Sequence, residues 1–512
     1  MHVLRLAHRV DLFQVRLSLL GLLVLLPCFC SATYNKDGFG EAFSQNTRVI
    51  NATLACQEAQ AVLGSSSVDT VPLNQTTVDV NWSEACWLKP TCIAQPSSAE
   101  EVATILTIIQ HYQVEFSVRS GGHSPNPGWS SIADSGILID LARLDQITVN
   151  DDYSVASIGP GQRWGIVQST LDPYNVSVIG GRDPTVGVGG LILGGGYFHF
   201  SGRYGLAADN VRTFQVVLAN GSLIEASASD NWDLFWALKG GGPNFGIVTR
   251  YDLYTIPIRN IWYELVLYAV DQILQVMDAF ASWQINSGND TDGNVAVVIS
   301  TSYAAVGFIY ASPQVQRPDV FEAFNNITVL EVSVEPTNGT VSELTTLLGE
   351  VTATADGRHD YRSAVTQVDA SIYKEAWRIW AESAAAVYNE TGATQTFVMQ
   401  AVAKGLVQQG QSRGGNPLGL PQQNMMWWTT TVTWENAADD DQVRNTSIIT
   451  SEVIQGGSDI DFLYMNDCSR DQQPLTTYGS DNVSRLKSVS QAYDPSQVFQ
   501  ILQKDGFLLR KV

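Results

Sequence analysis

Residues 114–129 read VEFSVRSGGHSPNPGW. A short apolar run of the kind that forms a buried strand passes Arg119 and Ser120. Gly121 and Gly122 then carry a single histidine, His123, into a loop broken by Pro125 and Pro127. Just upstream, CIAQPSSAEEVATILTIIQHYQ (92–113) supplies a strand and a helix. Ser97 and Ser98 each stand three residues before a glutamate, Glu100 and Glu101, so a capping box opens that helix. A strand–helix–strand unit thus delivers the chain to His123.

Two more glycine-rich turns lie downstream, GGRDPTVGVGGLILGGG (180–196) and GGGPNFG (240–246). Each glycine adds backbone entropy that folding must remove, so a compact apolar core does not favour such density. Backbone N–H groups brought together without side-chain obstruction form concavities for phosphate oxygens, and a dinucleotide is the natural guest. The chain has no GxxxxGK[ST], and GPGQRWG (159–165) does not keep the GxGxxG register.

These segments, with RYGLAADNV (203–211), LFWALKGGGPNFGIVT (234–249) and RLKSVSQAYDPSQVF (485–499), together resemble the FAD-linked oxidases of the vanillyl-alcohol-oxidase superfamily. The nearest branch resembles the berberine-bridge-enzyme and 6-hydroxynicotine-oxidase-like group in its fungal form. The resemblance implies an α+β fold: a two-subdomain PCMH-type FAD-binding domain over 86–257 and an α+β substrate domain over 258–458. A C-terminal segment over 459–512 packs on the first domain. The substrate domain also reads from its own pattern as an antiparallel sheet covered on one face by helices, with strand-like NVAVVISTSY, VGFIYAS and WWTTTVTW and helical LQVMDAFASWQI and YKEAWRIWAESAAAVY.

By the same resemblance His123 carries FAD through the flavin 8α carbon, with Arg119, Ser120, Gly121 and Gly122 bringing the loop to the cofactor. Gly180, Gly181, Val186, Gly187, Gly189 and Gly190 hold the pyrophosphate and ribityl chain, and Gly246 and Val248 lie near the adenosine end. Many relatives make a second flavin bond from a cysteine where this chain has Asp183. An aspartate forms no thioether, so a single covalent link is expected.

The implied reaction passes hydride from a substrate C–H to FAD while a base takes a proton, with O2 as acceptor giving H2O2. The expected substrate is a small organic molecule, a fungal secondary metabolite. A secreted sugar or oligosaccharide oxidase and a redox-neutral cyclase are the alternatives. Tyr464 is the first candidate base, with Asn466 orienting it or contacting flavin; Asp467, which replaces the tyrosine or glutamate of many relatives, and His199 are the others. A tyrosine works as a base only where positive charge or hydrogen bonds favour phenolate. Trp427, Trp428 and Trp434 are candidates for an aromatic pocket, although alternation sets Trp427 on the opposite face from the other two.

Length and composition frame these readings. The chain has 512 residues, 45% hydrophobic and 16% charged, enough for a large core. Residues 1–32 read as a signal peptide, with a basic leader, the apolar LSLLGLLVLL and a small-residue end, and 33–85 as an N-terminal extension. Secretion or an endomembrane lumen follows, without stable membrane association after cleavage. Eleven N-x-S/T sites point to N-glycans. The net charge of -22 disfavours nucleic acid and anionic membrane as partners. Past the leader four cysteines remain, allowing three pairings that spacing does not resolve; Cys56 with Cys92 is favoured, and no cysteine has the spacing of a metal site.

Overall fold

The computed structural model describes residues 36–288, 290–351 and 356–512; the expected signal peptide and the sequon residue Asn289 lie outside them. From Val68 onward the chain builds three sheets. The first contains β1 (Val68–Thr70), β2 (Cys92–Ala94), β3 (Glu115–Arg119) and β4 (Gly136–Asp140), in the order β1-β2-β4-β3. The helix Ala99–Tyr112 connects β2 to β3, yet the two strands do not pair. Each lies parallel to β4, which is inserted between them. Ser98 caps the helix by accepting from the Glu101 N–H at 3.3 Å, and the Glu101 carboxylate reaches back to the Ser97 N–H at 2.7 Å.

The second sheet is antiparallel and contains β5 (Ile147–Val149), β6 (Val155–Ile158), β7 (Ser177–Val178), β8 (Val211–Val217), β9 (Leu223–Ser227) and β10 (Ile247–Ile256). The third, also antiparallel, contains β11 (Asn260–Ala269), β12 (Gly293–Ile299), β13 (Tyr303–Tyr310), β14 (Glu331–Thr340), β15 (Arg358–Gln367), β16 (Thr394–Val402) and β17 (Met425–Trp434). Its order is β14-β11-β13-β12-β16-β17-β15.

Strand periodicity divides β17 between two cores. Met426 and Trp428 pack with the helices Ile273–Asn286 and Ala370–Thr391, whereas Met425 and Trp427 pack into the core shared with the second sheet. Trp434 joins Val387 and Val443 on the helix side. All three tryptophans are buried, so they form core and not the aromatic pocket considered above.

The chain after Phe462, which reads as a strand, forms none. Its N–H groups go to side chains instead, Leu463 to Thr477 Oγ1 at 3.1 Å and Tyr464 to Ser363 Oγ at 3.3 Å, so the segment crosses the third sheet without joining it. The helix Ser480–Tyr493 ends at Asp494. Beyond it the tail lies along β3, with Phe116 N–H donating to Leu502 O at 3.0 Å and Lys504 N–H to Phe116 O at 2.7 Å.

Cys56, on the helix Lys36–Leu63, is disulfide-bonded to Cys92 in β2, across 36 residues of sequence. Cys86 and Cys468 are buried free thiols, and burial pushes the Cys86 thiol up to about 12. Among the described residues no helix is long and apolar enough to cross a membrane, and no cluster of His, Cys, Asp and Glu is arranged to hold a metal ion.

Candidate active site

Three segments converge around His123. The imidazole is half-buried, and burial lowers its pKa, with nearby Asp183 opposing that shift and Arg163 reinforcing it. It is therefore neutral near pH 7 and available as a nucleophile. The loop that bears it is clamped by Arg163, whose Nη1 donates both to Gly121 O and, at 2.6 Å, to Thr185 O. One guanidinium thus ties the His123 loop to the turn that follows Asp183. Ser120 adds a second tie, its Oγ donating to Pro160 O at 2.5 Å and accepting from the Gly189 N–H at 3.1 Å.

On one side of His123 stands Trp82, its ring 4.6 Å from the imidazole and 13° from parallel; His359 stacks on the indole at 4.1 Å and 4°. Tyr361, two residues along β15, lies 6.2 Å from the same indole. Burial lowers the His359 pKa to about 4, helped by the adjacent His123.

Further along the same sheet face sits a polar group built from three chain segments. Asp467 Oδ2 accepts from Gln400 Nε2 at 2.8 Å and Thr429 Oγ1 at 2.6 Å, while its Oδ1 accepts no hydrogen bond among the described residues. Gln400 Oε1 in turn accepts from Arg182 Nη2. Burial raises the Asp467 pKa, and the two hydrogen bonds and the Arg182 charge pull it back. Thr429 lies two residues along β17 from Thr431, the register partner of Tyr361, so the polar group and the His123 stack share one sheet face; burial, with the Asp467 charge adding to it, raises the Tyr361 pKa.

A family model described as an FAD binding domain matches residues 90–227. An FAD-dependent monooxygenase of Arthrobotrys oligospora is 38% identical over 464 residues, covering 90% of each chain. The chain belongs to the FAD-linked oxidoreductases of the vanillyl-alcohol-oxidase superfamily. The fold of this oxidoreductase is similar to that of 6-hydroxy-D-nicotine oxidase from Arthrobacter nicotinovorans, with a TM-score of 0.75 at 21% identity over 86% of this chain and 97% of that one. Glucooligosaccharide oxidase from Acremonium strictum, described with a 6-S-cysteinyl, 8α-N1-histidyl FAD, is similar at TM-score 0.68 and 19% identity, over 83% and 94% of the two chains.

The residues of this oxidoreductase fit FAD. A Cβ added at Gly190 would meet nothing within 4 Å, so its backbone is open to an incoming group, whereas Gly121 and Gly187 face each other and Gly189 faces Ser120. His123, Gly190 and the backbone of 186–190 would hold the cofactor, which when bound supplies a hydride acceptor.

Other expected cofactor residues have structural duties. Arg119 is buried, with its guanidinium engaged by Asp140 at 2.9 Å, Asn81 Oδ1 at 3.0 Å and Thr77 O at 2.7 Å. It braces the end of β3. Gly180 and Gly181 are glycine because the Trp164 ring lies against them; a Cβ on either would come within 2.2 Å of it. Gly246 packs against Val216 and Val217, and Val248 is a core residue of β10 paired with β8, so neither lines an open cleft. The 240–246 turn is closed by the C-terminal tail, with Asn244 Nδ2 donating to Phe507 O at 2.9 Å.

The expected bases separate sharply. Tyr464 is buried, stacks on Trp427 at 4.2 Å, and its oxygen accepts from the N–H groups of Gly196 (3.1 Å) and Tyr197 (3.0 Å) and from Asn466 Nδ2 (3.0 Å). Burial and the Asp467 charge raise its pKa, and the hydrogen bonds from Asn466 and the Tyr197 N–H together with the Arg182 charge only partly offset them, so the phenol stays protonated near neutral pH. Asn466 is an orienting group, as its Nδ2 also reaches Leu191 O at 2.9 Å. His199 lines a cavity of ≈ 30 Å³ together with Asn294, Gln284 and Tyr197, and neither ring nitrogen has a hydrogen-bond partner among the described residues. Burial, reinforced by Arg182, drops its pKa to about 3, too low for an effective base near neutral pH. Asp467 alone of the three combines a free oxygen with a place beside the His123 stack.

Sequence reading missed Arg182, Gln400, Thr429, His359, Tyr361 and Trp82. For those on strands a signal existed: His359, Tyr361, Gln400 and Thr429 are polar or polar-aromatic at positions whose parity matches the inward-facing Val365, Val402 and Trp427. Trp82 carried no local signal.

Proposed function

We propose that this oxidoreductase binds FAD through one covalent bond to His123 and oxidises a small organic alcohol or phenol, with O2 as acceptor and H2O2 as product. Asp467 takes the substrate hydroxyl proton at Oδ1. Gln400 and Thr429 fix the carboxylate through Oδ2, and Arg182, bonded to Gln400 and lying over the Tyr197 ring at 4.9 Å, supplies the positive charge that keeps Asp467 ionisable. The observation that carries this reading is the carboxylate with one free oxygen, held on the sheet face that also presents the His123 stack. Asp183, in place of the cysteine that gives relatives a second bond, supports a single link.

Secretion or an endomembrane lumen is part of the proposal, with N-glycans at the exposed Asn175, Asn220, Asn326, Asn389 and Asn445. The test is acid precipitation of protein from a secretory host. Flavin colour stays in the wild-type pellet and leaves that of His123→Ala. Colour washed out of the wild type overturns the covalent link.

A second reading follows from the relative named a monooxygenase: transfer of one oxygen atom to the substrate. One H2O2 released per O2 consumed favours the oxidase, and label from 18O2 in the organic product favours the monooxygenase.

A further inference from the structure

Trp82 lies outside the residues matched by the FAD-binding family model, yet it touches the centre of the site. The short segment around it is tightly held. The Trp82 N–H donates to Gly122 O at 3.0 Å, directly behind His123, and Glu84 N–H donates to Gly357 O at 2.9 Å. Ser83 Oγ accepts from the His359 N–H at 2.9 Å and donates to His359 O at 3.2 Å. Asn81 Nδ2 donates to Ser130 Oγ at 2.8 Å while its Oδ1 accepts from Arg119. Residues 81–84 therefore run along the free edge of β15 and bind the back of the His123 loop at once.

The indole consequently has no freedom to follow the imidazole; the imidazole must follow the indole. Trp82 is backed by His359, itself fixed through Nδ1 to Thr433 Oγ1 at 3.0 Å. A ring sandwiched this way fixes the plane of its neighbour, and a nucleophile must present its lone pair within that plane.

We propose that Trp82 is a positioning residue for cofactor attachment: it holds the His123 ring in the plane from which the imidazole nitrogen bonds to the flavin 8α carbon. The inference rests on the covalent His123 reading above. In that reaction an N–C bond forms, one C–H bond and the imidazole N–H are lost, and the two electrons and two protons pass to dioxygen as H2O2.

The experiment is a time course of covalent attachment, with apoprotein of the wild type, Trp82→Ala and Trp82→Phe incubated with FAD in air and flavin fluorescence read on denaturing gels. Thermal melts run in parallel. Trp82→Ala attaches flavin roughly tenfold to a hundredfold more slowly, as expected for a misaligned nucleophile. Trp82→Phe, which keeps a flat ring, recovers most of the rate. Wild-type attachment kinetics in Trp82→Ala overturn the proposal and leave the His123 link standing. Equal loss in both variants also overturns it, because the flat ring is then not what matters. Absence of covalent flavin from the wild type removes the His123 reading and this one with it. Should Trp82→Ala fail to fold, His359→Ala, which removes the backing of the indole, is the second variant, and an unchanged attachment rate there overturns the proposal.

Discussion

Gly121 and Gly187 meet backbone to backbone: a Cβ built on either would lie 2.4 Å from the Cα of the other. The contact joins the His123 loop to the 180–190 turn without any side chain between them. Gly187→Ala therefore forces the two segments apart, at a cost of about 1–3 kcal/mol as for other overpacked sites. Thermal melts should show the loss, and FAD retention should fall with it, since the Arg163 clamp spans the same gap.

Tyr464→Phe removes the oxygen that accepts three N–H donors. Leaving the Gly196 and Tyr197 N–H groups buried without a partner costs about 1–3 kcal/mol. Stability should drop while the pH profile of kcat/KM keeps its shape; a lost limb in that profile would return Tyr464 to the role of base.

Asp467 must be ionised to accept a proton, and burial has raised its pKa. Activity should accordingly rise with pH through a limb above the ordinary aspartate value of about 3.9. Asp467→Asn lowers kcat by about 10²–10⁴-fold and abolishes that limb. Arg182→Met removes the positive charge that pulls the pKa down, so its limb moves to higher pH. Steady-state kinetics across pH check all three.

Arg119 and Asp140 form a 2.9 Å ion pair whose side chains are 1% and 2% exposed. Replacing one partner strands the other charge, so Arg119→Met or Asp140→Asn should cost about 3–5 kcal/mol in denaturant titration. Asn81, which accepts from the same guanidinium, is 2% exposed. Its sequon should stay unglycosylated in folded protein, as peptide mapping after secretion will show.

Cys86 is held as a neutral thiol by burial, its pKa pushed up to about 12. The thiolate is the reactive form. Native protein at pH 8 should therefore resist alkylation at Cys86, and unfolding should expose it; mass spectrometry of labelled peptides reads the difference.

The strand–helix–strand entry to His123 and the capping at Ser98 were legible, because each depends on neighbours a few residues away. Glycine was harder to read. The turns at 120–123 and 180–190 do meet, through Gly121 and Gly187, but Gly180 and Gly181 answer to Trp164, and the 240–246 turn answers to the C-terminal tail. A glycine reports that something comes close; whether it is a cofactor or a tryptophan depends on the partner.

What the sequence by itself determined was the family and the local elements, since motif residues and helix caps are adjacent in the chain. Only the tertiary structure separates the surroundings of Asp467, Tyr464 and His199. Those surroundings depend on hydrogen bonds between residues far apart in the chain, as Tyr464 makes with the Gly196 N–H across 268 residues and Asp467 with Gln400 across 67. The same holds for Trp82, which reaches His123 because Ser83 is bonded to His359 across 276 residues, a proximity that local propensity cannot encode.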